Sequence, residues 1–365
     1  MIKVVICGGG VIGTCTAYYL SRRGADVTVV ERAGVANAAS GKSGGFLALD
    51  WCQGTPVDPL ARRSFALHAE LDAMIDIDWG YRRLETLDIA ASPRRDLKRV
   101  HPAIPPDWLG ENAALRDQLG TVQTTAQVTP GLFTQAMMTA SGAKLVEGAV
   151  DGIAFDSGSA RGVFVDGQLI SADAVVIAMG PWSLLACQWL PLPGVYGLKG
   201  HSIVFRYKPA TPLALFVELE DHDGETSTPE VMPRPDGTTY VCGLSGEAPL
   251  PVDPSQVDTE KGGPEKLRAM TSIFAPELAA SDVIVTQACY RPVTQDGIPI
   301  IGAIVGVNGA YVATGHGVWG ILNGPATGEA LAELIVDGAA ATVDISPFAT
   351  ARLPVLDMSG LSVSN

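Results

Sequence analysis

The sequence predicts an α/β chain, α+β overall, in which a Rossmann-like domain is interleaved with a domain built on an antiparallel sheet. Two parallel-type strand–helix patterns support this prediction, one at the N-terminus and one over residues 130–180. Residues 196–245 alternate as antiparallel strands do, with charged and Pro-containing loops between them. Because antiparallel material lies between and after the parallel patterns, the chain is expected to leave the first domain and re-enter it.

The first strand, helix and second strand are predicted as one βαβ unit. Ile2–Cys7 is a continuous apolar run, which is typical of a strand buried on both faces of a parallel sheet. Val11–Arg23 has a helical pattern, and Gly24 follows where a C-terminal cap glycine belongs. Val27–Val30 is the second buried strand.

The later elements follow from apolar spacing and from the signals that begin and end helices. Pro130 suits a first helical turn, because its missing N–H would have no partner there. Residues 143–179 contain several short strands and end in the buried run DAVVIAMG. Further helices are predicted over Asp58–Ile75, Pro130–Ala140, Glu260–Phe274 and Pro325–Val336. Further strands are predicted over Val283–Tyr290, Ile298–Ile301 and Tyr311–Thr314.

The composition predicts a folded protein with an acidic surface. Of the 365 residues, 47% are apolar and 18% are charged, which supplies one large core or two medium ones and excludes a disordered chain. The net charge of −14 repels phosphate backbones and anionic lipid, so neither nucleic acid nor a membrane surface is an expected partner.

The cysteines, the histidines and an uncharged C-terminal stretch bear on compartment and metal binding. Six cysteines lie far apart without a C-x-x-C pair, which predicts a reducing, cytoplasmic setting. Five histidines lack metal-ligand spacing, so no metal site is expected. Residues 297–328 carry no Asp, Glu, Lys or Arg, but glycines and prolines interrupt them, so no membrane span is expected.

Gly8, Gly10 and Gly13 form a Gly-x-Gly-x-x-Gly motif between the first predicted strand and helix. Gly8 allows a tight turn, Gly10 lets a pyrophosphate approach the backbone, and Gly13 lets the helix pack closely on the strand. The phosphates would lie at the helix N-terminus, which Val11 and Ile12 open. The motif therefore predicts a dinucleotide site.

Glu31 ends the second predicted strand and completes this signature. An acidic residue there accepts hydrogen bonds from the adenosine ribose and repels a 2′-phosphate, which disfavours NADP. The alternative is a merely glycine-rich turn, and the strand, the helix and the glutamate in register weigh against it. The motif does not separate FAD from NAD.

Four segments, in order, resemble the D-amino acid oxidase, glycine oxidase and sarcosine oxidase family of flavoproteins. They read ICGGGVIGTCTAYYLSRRGADVTVVER, ADAVVIAMGPWS, YRPVTQDGIPIIG and YVATGHGVWGILNGPATGEALAELI. The segment ASGKSGGFLALDWC further resembles a little-studied subgroup of these oxidoreductases in fungi and plants. The resemblance is much weaker in 81–127 and 196–280, and it implies that the dinucleotide is FAD.

The family fold implies a Rossmann-like FAD-binding domain that the chain builds in three pieces, interleaved with an antiparallel-sheet substrate domain. The FAD-binding domain is expected to comprise residues 1–80, 128–195 and 285–345. The substrate domain is expected to comprise residues 81–127 and 196–284, and residues 346–365 would form a C-terminal tail.

The resemblance also implies a set of FAD-binding residues beyond the N-terminal motif. The glycines of 315–320 would let the backbone run along the flavin ring, and the helix after them would direct its positive end at the pyrimidine ring. Lys42 would balance phosphate charge or lie beside the flavin edge, with a solvated loop lysine as the alternative. The implied residues are Arg32, Ser40, Lys42, Ser43, Gly44, Gly45, Val150, Gly180, Trp182, Gly315, Gly317, Val318, Trp319, Gly320 and Ile321.

Arg291 and His316 are the residues that the resemblance implies for the substrate side. Arg291 matches the family's Arg-Pro motif, in which the guanidinium holds the substrate carboxylate as a planar bidentate donor. The alternative is that Arg291 pairs with Asp296 across a turn. His316 occupies the family's Gly-His-Gly position, where a structural role is as well supported as a catalytic one.

Cys289 matches the flavin-linking cysteine of sarcosine oxidases, so a covalent link is one possibility, and a buried strand cysteine is the alternative. A thiolate would require nearby positive charge, and Arg291 would share the side of Cys289 only if the strand continued to it. Because Pro292 follows, the strand is not expected to continue, and non-covalent FAD is predicted.

The resemblance implies oxidation of the Cα–N bond of an amino acid or secondary amine, with hydride transfer to flavin N5 and hydrolysis of the resulting imine. The partners would be this small molecule and oxygen or another electron acceptor. The chain departs from the family at Leu322 and Val318, where relatives carry a carboxylate-binding lysine and arginine, and Thr238–Gly243 lacks their oxygen-activating lysine. The alternatives are therefore a same-fold dehydrogenase that reduces a quinone or protein, and a redox-inactive FAD-fold binding or regulatory protein.

Overall fold

The computed structural model describes residues 1–97 and 104–359. The strands are β1 Lys3–Cys7, β2 Asp26–Glu31, β3 Phe46–Ala48, β4 Arg82–Arg83, β5 Thr86–Ala91, β6 Ala113–Gly120, β7 Thr125–Gln127, β8 Lys144–Glu147, β9 Val150–Asp156, β10 Ser159–Val165, β11 Gln168–Ser171, β12 Ala174–Ile177, β13 Val195–Phe205, β14 Ala214–Glu220, β15 Thr226–Ser227, β16 Glu230–Pro233, β17 Thr239–Glu247, β18 Val283–Thr294, β19 Ile300–Ala303 and β20 Ala310–Thr314. The α-helices are α1 Val11–Arg22, α2 Ala39–Lys42, α3 Asp58–Met74, α4 Pro130–Ser141, α5 Gly263–Phe274, α6 Pro276–Ala280 and α7 Gly320–Asp337.

A six-stranded sheet in the order β19-β20-β12-β1-β2-β8 forms the first layer. All neighbouring pairs are parallel except β19 with β20. β1 lies at the centre, where Val5 pairs with Thr28 on one side and Val175 on the other. Residues 4–7 are buried because α1, α4 and α7 cover one face while β9–β11 cover the other. The Rossmann-like α/β prediction is thereby confirmed.

A second, larger sheet runs in the order β18-β13-β17-β16-β14-β5-β6, with β15 attached to β14. Its pairs are antiparallel except β14 with β5. One face packs on α5 and α6 through a core that includes Phe205, Leu215, Leu267 and Phe274. The antiparallel sheet predicted from the alternation over 196–245 is confirmed.

Two small sheets complete the architecture. β11-β10-β9 forms an antiparallel meander, and β3-β7-β4 joins the segment after β2 to the region before α4. The predicted C-terminal tail contains short 3₁₀ turns at Ser346–Phe348 and Thr350–Arg352, and its residues 360–365 lie outside the described part of the chain.

β18 is longer than the sequence predicts. The expected strand ends at Tyr290, whereas the observed strand continues through Arg291 and Pro292 to Thr294. Pro292 lies in the edge strand of its sheet, where proline is tolerated because only alternate N–H groups bond to the neighbouring strand. β18 pairs with β13 along its length, from Val283 to Thr294. The domain boundary at 284/285 stays a prediction.

α7 begins at Gly320, five residues before the predicted start at Pro325, so Pro325 lies inside the helix. A proline there removes the N–H that would bond to the carbonyl of Ile321. His68 Nε2 lies 3.0 Å from Ile321 O and replaces that donor. Ser64 Oγ accepts from Ala326 N–H at 3.1 Å. The two side chains lie one turn apart on α3, and together they satisfy the helix interrupted by Pro325.

The N-terminal helix and α7 cross closely because two glycines of α7 face α1. A Cβ on Gly328 would lie 2.6 Å from the Cys15 carbonyl carbon, and one on Gly324 would lie 2.9 Å from Val11 Cγ2. The C-terminal glycine-rich stretch is thus held directly behind the N-terminal motif.

α5 begins at Gly263 and not at the predicted Glu260. Gly262 has φ of +81°, a left-handed conformation that ends the preceding turn, and Pro264 then occupies the first helical turn. Among residues 1–97 and 104–359, no helix combines the length and the apolarity needed to cross a bilayer.

Candidate active site

One continuous cleft runs from the carboxyl ends of the parallel strands to the exposed face of the antiparallel sheet, and it encloses about 1690 Å³ of empty space, including its open mouth. Gly8 and Glu31 line it at one end, and Glu230 and Arg291 line it at the other. Ligands of open α/β sheets bind outside the carboxyl ends of the strands, which is where this cleft begins.

The first and third motif glycines are required by space. Gly8 has φ of +113°, and a Cβ there would lie 2.4 Å from the Ala178 carbonyl oxygen. A Cβ on Gly13 would lie 2.0 Å from the carbonyl oxygen of Gly8. These approaches hold α1 against the end of β1 and leave the helix N-terminus facing the cleft.

Gly10 and Ser40 meet at that N-terminus. The backbone N–H of Val11 donates to Ser40 Oγ at 2.9 Å, and a Cβ on Gly10 would lie 3.1 Å from the same oxygen. The hydroxyl hydrogen of Ser40 can in turn be donated to a phosphate oxygen. The remaining free N–H groups of the first turn and the helix dipole favour an anion here.

Glu31 is held by the backbone around the motif. Its Oε2 accepts from Gly9 N–H at 2.7 Å, and its Oε1 accepts from Ala33 N–H at 2.8 Å. Each carboxylate oxygen has a second acceptor site, and the side chain lines the cleft, so its carboxylate can also accept from ribose hydroxyls.

Most of the sequence-predicted residues lie on the cleft wall, while a minority lie just behind it. The lining residues are Gly8, Gly10, Val11, Ile12, Glu31, Arg32, Ser40, Ser43, Gly44, Val150, Gly180, Trp182, Cys289, Arg291, His316, Gly317, Val318, Gly320 and Ile321. Gly13, Lys42, Gly45, Gly315 and Trp319 are not on the wall.

Two of those outside residues support the wall from behind. A Cβ on Gly45 would lie 2.0 Å from the carbonyl oxygen of Val128, and one on Gly315 would lie 2.5 Å from Thr294 Cγ2. Both positions therefore require glycine for packing.

The cleft residues fit FAD. Ser43 Oγ is buried at the wall without a hydrogen-bond partner in the described structure, so it can serve a ligand. The N-terminus of α7, preceded by the 3₁₀ turn Gly317–Trp319, opens on the cleft at Gly320 and Ile321. Its positive end can stabilise negative charge on a bound flavin.

Arg291 lies at the far end of the cleft, on the face of β18 that looks into it. Its Nη1 donates to Ser245 Oγ at 2.8 Å. Gly200 provides the space for the guanidinium, because a Cβ there would lie 3.4 Å from Arg291 Nη2. The alternative pairing with Asp296 is wrong, since Asp296 instead accepts from Arg352 Nε at 2.6 Å.

Cys289 shares this face, because β18 continues to Arg291 and residues two apart point the same way. The prediction that the strand stops short is therefore wrong. Burial raises the pKa of the Cys289 thiol, although Arg291 and Lys42 oppose that shift. Two cations thus lie near the sulfur, and the protonated thiol is still favoured.

His316 is buried and lies on the cleft wall beside the start of α7. Its Nε2 lies 3.1 Å from Thr327 Oγ1 on α7. Burial lowers the pKa of His316 to about 3, so the imidazole is neutral and weakly basic. This environment favours the structural alternative for His316.

Several residues that line or support the substrate end carry no motif in the sequence. Glu230, Tyr240 and Cys242 line the cleft from β16 and β17. Arg234 stands behind Tyr240, with its Cζ 5.3 Å from the ring centroid and its Nη2 3.2 Å from Ser43 O. Only the alternation of apolar and polar residues over 196–245 signalled that this sheet had a cleft face.

Comparisons with known proteins agree with this geometry. Residues 3–334 match the family model described as FAD dependent oxidoreductase, DAO. A candidate oxidoreductase of Schizosaccharomyces pombe is 32% identical over 376 residues, covering 94% of this chain and 96% of that protein. A glycine oxidase of Pseudomonas aeruginosa is 28% identical over 381 residues, covering 96% and 98%. The crystal structure of glycine oxidase from Geobacillus kaustophilus superposes with a TM-score of 0.78 at 25% identity, covering 96% and 99%.

These matches confirm the resemblance seen in the sequence and the assignment of FAD over NAD as cofactor. They extend through regions 81–127 and 196–280, where no motif was recognised. The chain belongs to the DAO family of FAD-dependent oxidoreductases.

Proposed function

We propose that this enzyme oxidises the Cα–N bond of an amino acid or secondary amine that carries a carboxylate, giving an imine that water hydrolyses. FAD, when bound, accepts the hydride from Cα at N5. The N-terminal glycine motif, Ser40 and Glu31 hold the pyrophosphate and the adenosine of the cofactor. Arg291 holds the substrate carboxylate and thereby fixes the position of Cα.

The observation that carries this proposal is the position of Arg291 in the same cleft as the glycine motif. Its guanidinium lies over Gly200 and has one neutral partner, Ser245, among the described residues. A planar fork with free N–H groups matches a carboxylate.

The six cysteines form no disulfide, which fits the cytoplasmic setting proposed for the reaction.

The direct experiment is anaerobic mixing of the purified holoenzyme with a panel of D- and L-amino acids and with the corresponding amines that lack a carboxylate. Bleaching of the flavin absorbance by amino acids supports the proposal. Faster bleaching by the carboxylate-free amines would remove Arg291 from this role, and no bleaching by any compound would favour the redox-inactive alternative.

Substitution of Arg291 tests the anchor. Charge-assisted hydrogen bonds contribute roughly 1.5–3 kcal/mol each, so R291A should raise KM for the amino acid at least about tenfold, and R291K should recover only part of the loss. R206A, at an exposed arginine beyond the far end of β13, is the matched control and should leave KM unchanged. An unchanged KM in R291A would contradict the assignment.

The electron acceptor separates the oxidase from the dehydrogenase alternative. Within the described residues, β17 presents Tyr240 and Cys242 to the cleft and no lysine, which favours the dehydrogenase. Oxygen uptake coupled to amino acid turnover would support an oxidase. Reduction by an amino acid followed by slow reoxidation in air and fast reoxidation by a quinone would support a dehydrogenase.

A further inference from the structure

Glu230 is a carboxylate at the substrate end of the cleft to which the proposed carboxylate anchoring assigns no role. It begins β16, an interior strand of the large sheet, and lines the cleft wall. Strand register places it directly opposite Cys242 on β17 and Phe216 on β14. Since directly opposed residues share a face of the sheet, this cross-strand row looks into the cleft.

Among the described residues, Glu230 has a hydrogen-bond donor but no cation in direct contact with its carboxylate. The Cys242 thiol donates to Glu230 Oε2, with Sγ 3.7 Å away. Tyr240 and Cys242 face it from β17 and Arg291 faces it from β18, while β14 contributes the apolar Phe216. Glu230 forms no ion pair with any described residue.

Arg291 and Glu230 are close enough to influence each other, yet they do not pair. The positive charge of Arg291 lowers the pKa of Glu230, while burial raises that pKa more strongly. Arg291 instead donates a hydrogen bond to Ser245 Oγ. Glu230 is half-buried, and a carboxylate that is partly removed from water without a cation is costly, so this site gains most from a ligand that brings the cation.

We propose that Glu230 binds the amino group of the substrate while Arg291 binds its carboxylate, so that the cleft selects zwitterionic α-amino acids over amines and over simple carboxylates. This inference rests on the proposed function and adds the recognition of the second charged group. Glu230 and Arg291, which lie on two strands of one sheet, then hold both the amino group and the carboxylate that are attached to Cα.

Glu230 also provides a route for the ammonium proton. Transfer of that proton to the carboxylate leaves a neutral amine and a neutral carboxylic acid. Loss of hydride from Cα to the oxidised flavin then gives an iminium, and water hydrolyses it to the oxo acid and ammonium. The proton on Glu230 leaves to solvent through the open mouth of the cleft.

The test uses two ligands that differ only in charge at one position. 2-Aminoisobutyrate has an ammonium group and no Cα hydrogen, so it binds without reducing the flavin, and pivalate replaces that ammonium with methyl. Each is titrated into holoenzyme and Kd is read from the flavin absorbance change. In E230Q, Kd for 2-aminoisobutyrate should rise at least about tenfold, while Kd for pivalate should stay or fall.

The controls separate this inference from the proposal beneath it. E247Q makes the same change at an exposed glutamate at the end of β17 and should alter neither Kd. If E230Q weakens both ligands equally, or neither, the role of Glu230 is overturned while R291A still reports on the anchor. If neither ligand perturbs the wild-type flavin, carboxylate anchoring itself fails, and this inference fails with it.

A pH profile gives a readout that a merely structural role would not move. With Glu230 present, the carboxylate takes the ammonium proton inside the cleft. In E230Q the amine must lose that proton to water before it binds, so the alkaline rise in the rate of anaerobic reduction over Kd should move toward the free amine's own pKa. A profile that is identical in wild type and E230Q would contradict proton transfer to Glu230.

Discussion

At the scale of single residues, the dinucleotide end of the cleft is built with almost no free space. Gly13 lies so close to the Gly8 carbonyl that a Cβ would stand 2.0 Å from the oxygen, a contact that only movement of α1 or of the turn can relieve. Either movement displaces the N–H groups that face the pyrophosphate. The third motif glycine therefore acts on FAD through the position of the helix.

G13A should accordingly purify with less than about a tenth of the wild-type flavin, since displaced donors lose more than one charge-assisted hydrogen bond. The ratio of flavin to protein absorbance measures this. G131A is the matched control, because a Cβ there meets its nearest atom, Gly41 Cα, at an ordinary 3.6 Å. A fully yellow G13A protein would show that the helix does not position the donors.

The surroundings of one residue, Cys289, also determine how FAD is attached. Cys289 faces the cleft two residues from Arg291, but burial keeps its pKa raised, and linkage needs the thiolate. FAD is therefore expected to be non-covalent. Acid precipitation of the holoenzyme should leave a yellow supernatant, and a yellow pellet that turns colourless in C289A would contradict this.

The residues of the dinucleotide end could be predicted because their signal is local in sequence. Gly8 to Gly13 act within one turn, and Glu31 follows one strand later. Glu230 and Cys242 carried no such signal, because their meeting depends on the register of β16 with β17. The register of β17 with β13 also shifts at Gly243, between the pairs His201–Leu244 and Ser202–Cys242, so alternation alone does not give the cleft face.

At the scale of elements, α3 supports the irregular start of α7. His68 must carry its hydrogen on Nε2 to donate to Ile321, and its Nδ1 has no partner in the described structure. Burial lowers the pKa of His68 to about 4. The His68 imidazole is therefore neutral in the folded protein down to about pH 4, whereas in the unfolded chain it takes up a proton near pH 6.5.

This difference makes stability depend on pH. The contribution of His68 is fully present above about pH 6.5 and is lost as pH falls toward 4, because the unfolded state takes up the proton first. H68Q keeps an N–H donor and removes the titration, so the fall in unfolding free energy from pH 7 to 4.5 should be smaller than in wild type by about 2–3 kcal/mol.

Urea unfolding at the two pH values measures this difference, and H222Q, at an exposed histidine, is the control that should behave as wild type. An equal pH dependence in H68Q and wild type would mean that His68 is charged or accessible in the folded protein.

Element types could be predicted well, and element ends could not. The buried runs of β1 and β2 identified the parallel sheet, because continuous apolar runs suit strands covered on both faces. Pro292 and Pro325 misled the prediction of two ends. A proline breaks a strand or helix only where its missing N–H matters, and the edge position of β18 and the donor His68 are properties of the assembled fold.

At the scale of the whole molecule, the cleft joins the two large sheets. Its wall includes Gly8 and Glu31 from the parallel sheet, and Tyr240 and Arg291 from the antiparallel one. The loop after α2 links them, because a Cβ on Gly44 would lie 3.2 Å from the Tyr240 ring. A ligand that fills the cleft therefore contacts both sheets at once.

FAD binding should for this reason stabilise the chain as one cooperative unit. A ligand at 100 times its Kd adds about 2.7 kcal/mol to the folded state. With an unfolding entropy of about 2.1 cal/mol/K per residue, that free energy corresponds to a rise in Tm of about 3–4 °C for 365 residues. Differential scanning calorimetry of apoprotein with and without added FAD should show one transition that moves as a whole. AMP, which occupies only the adenosine part of the FAD site, is the control and should raise the transition temperature less. Two transitions, of which FAD moves only one, would show that the sheets unfold independently and that the cleft does not couple them.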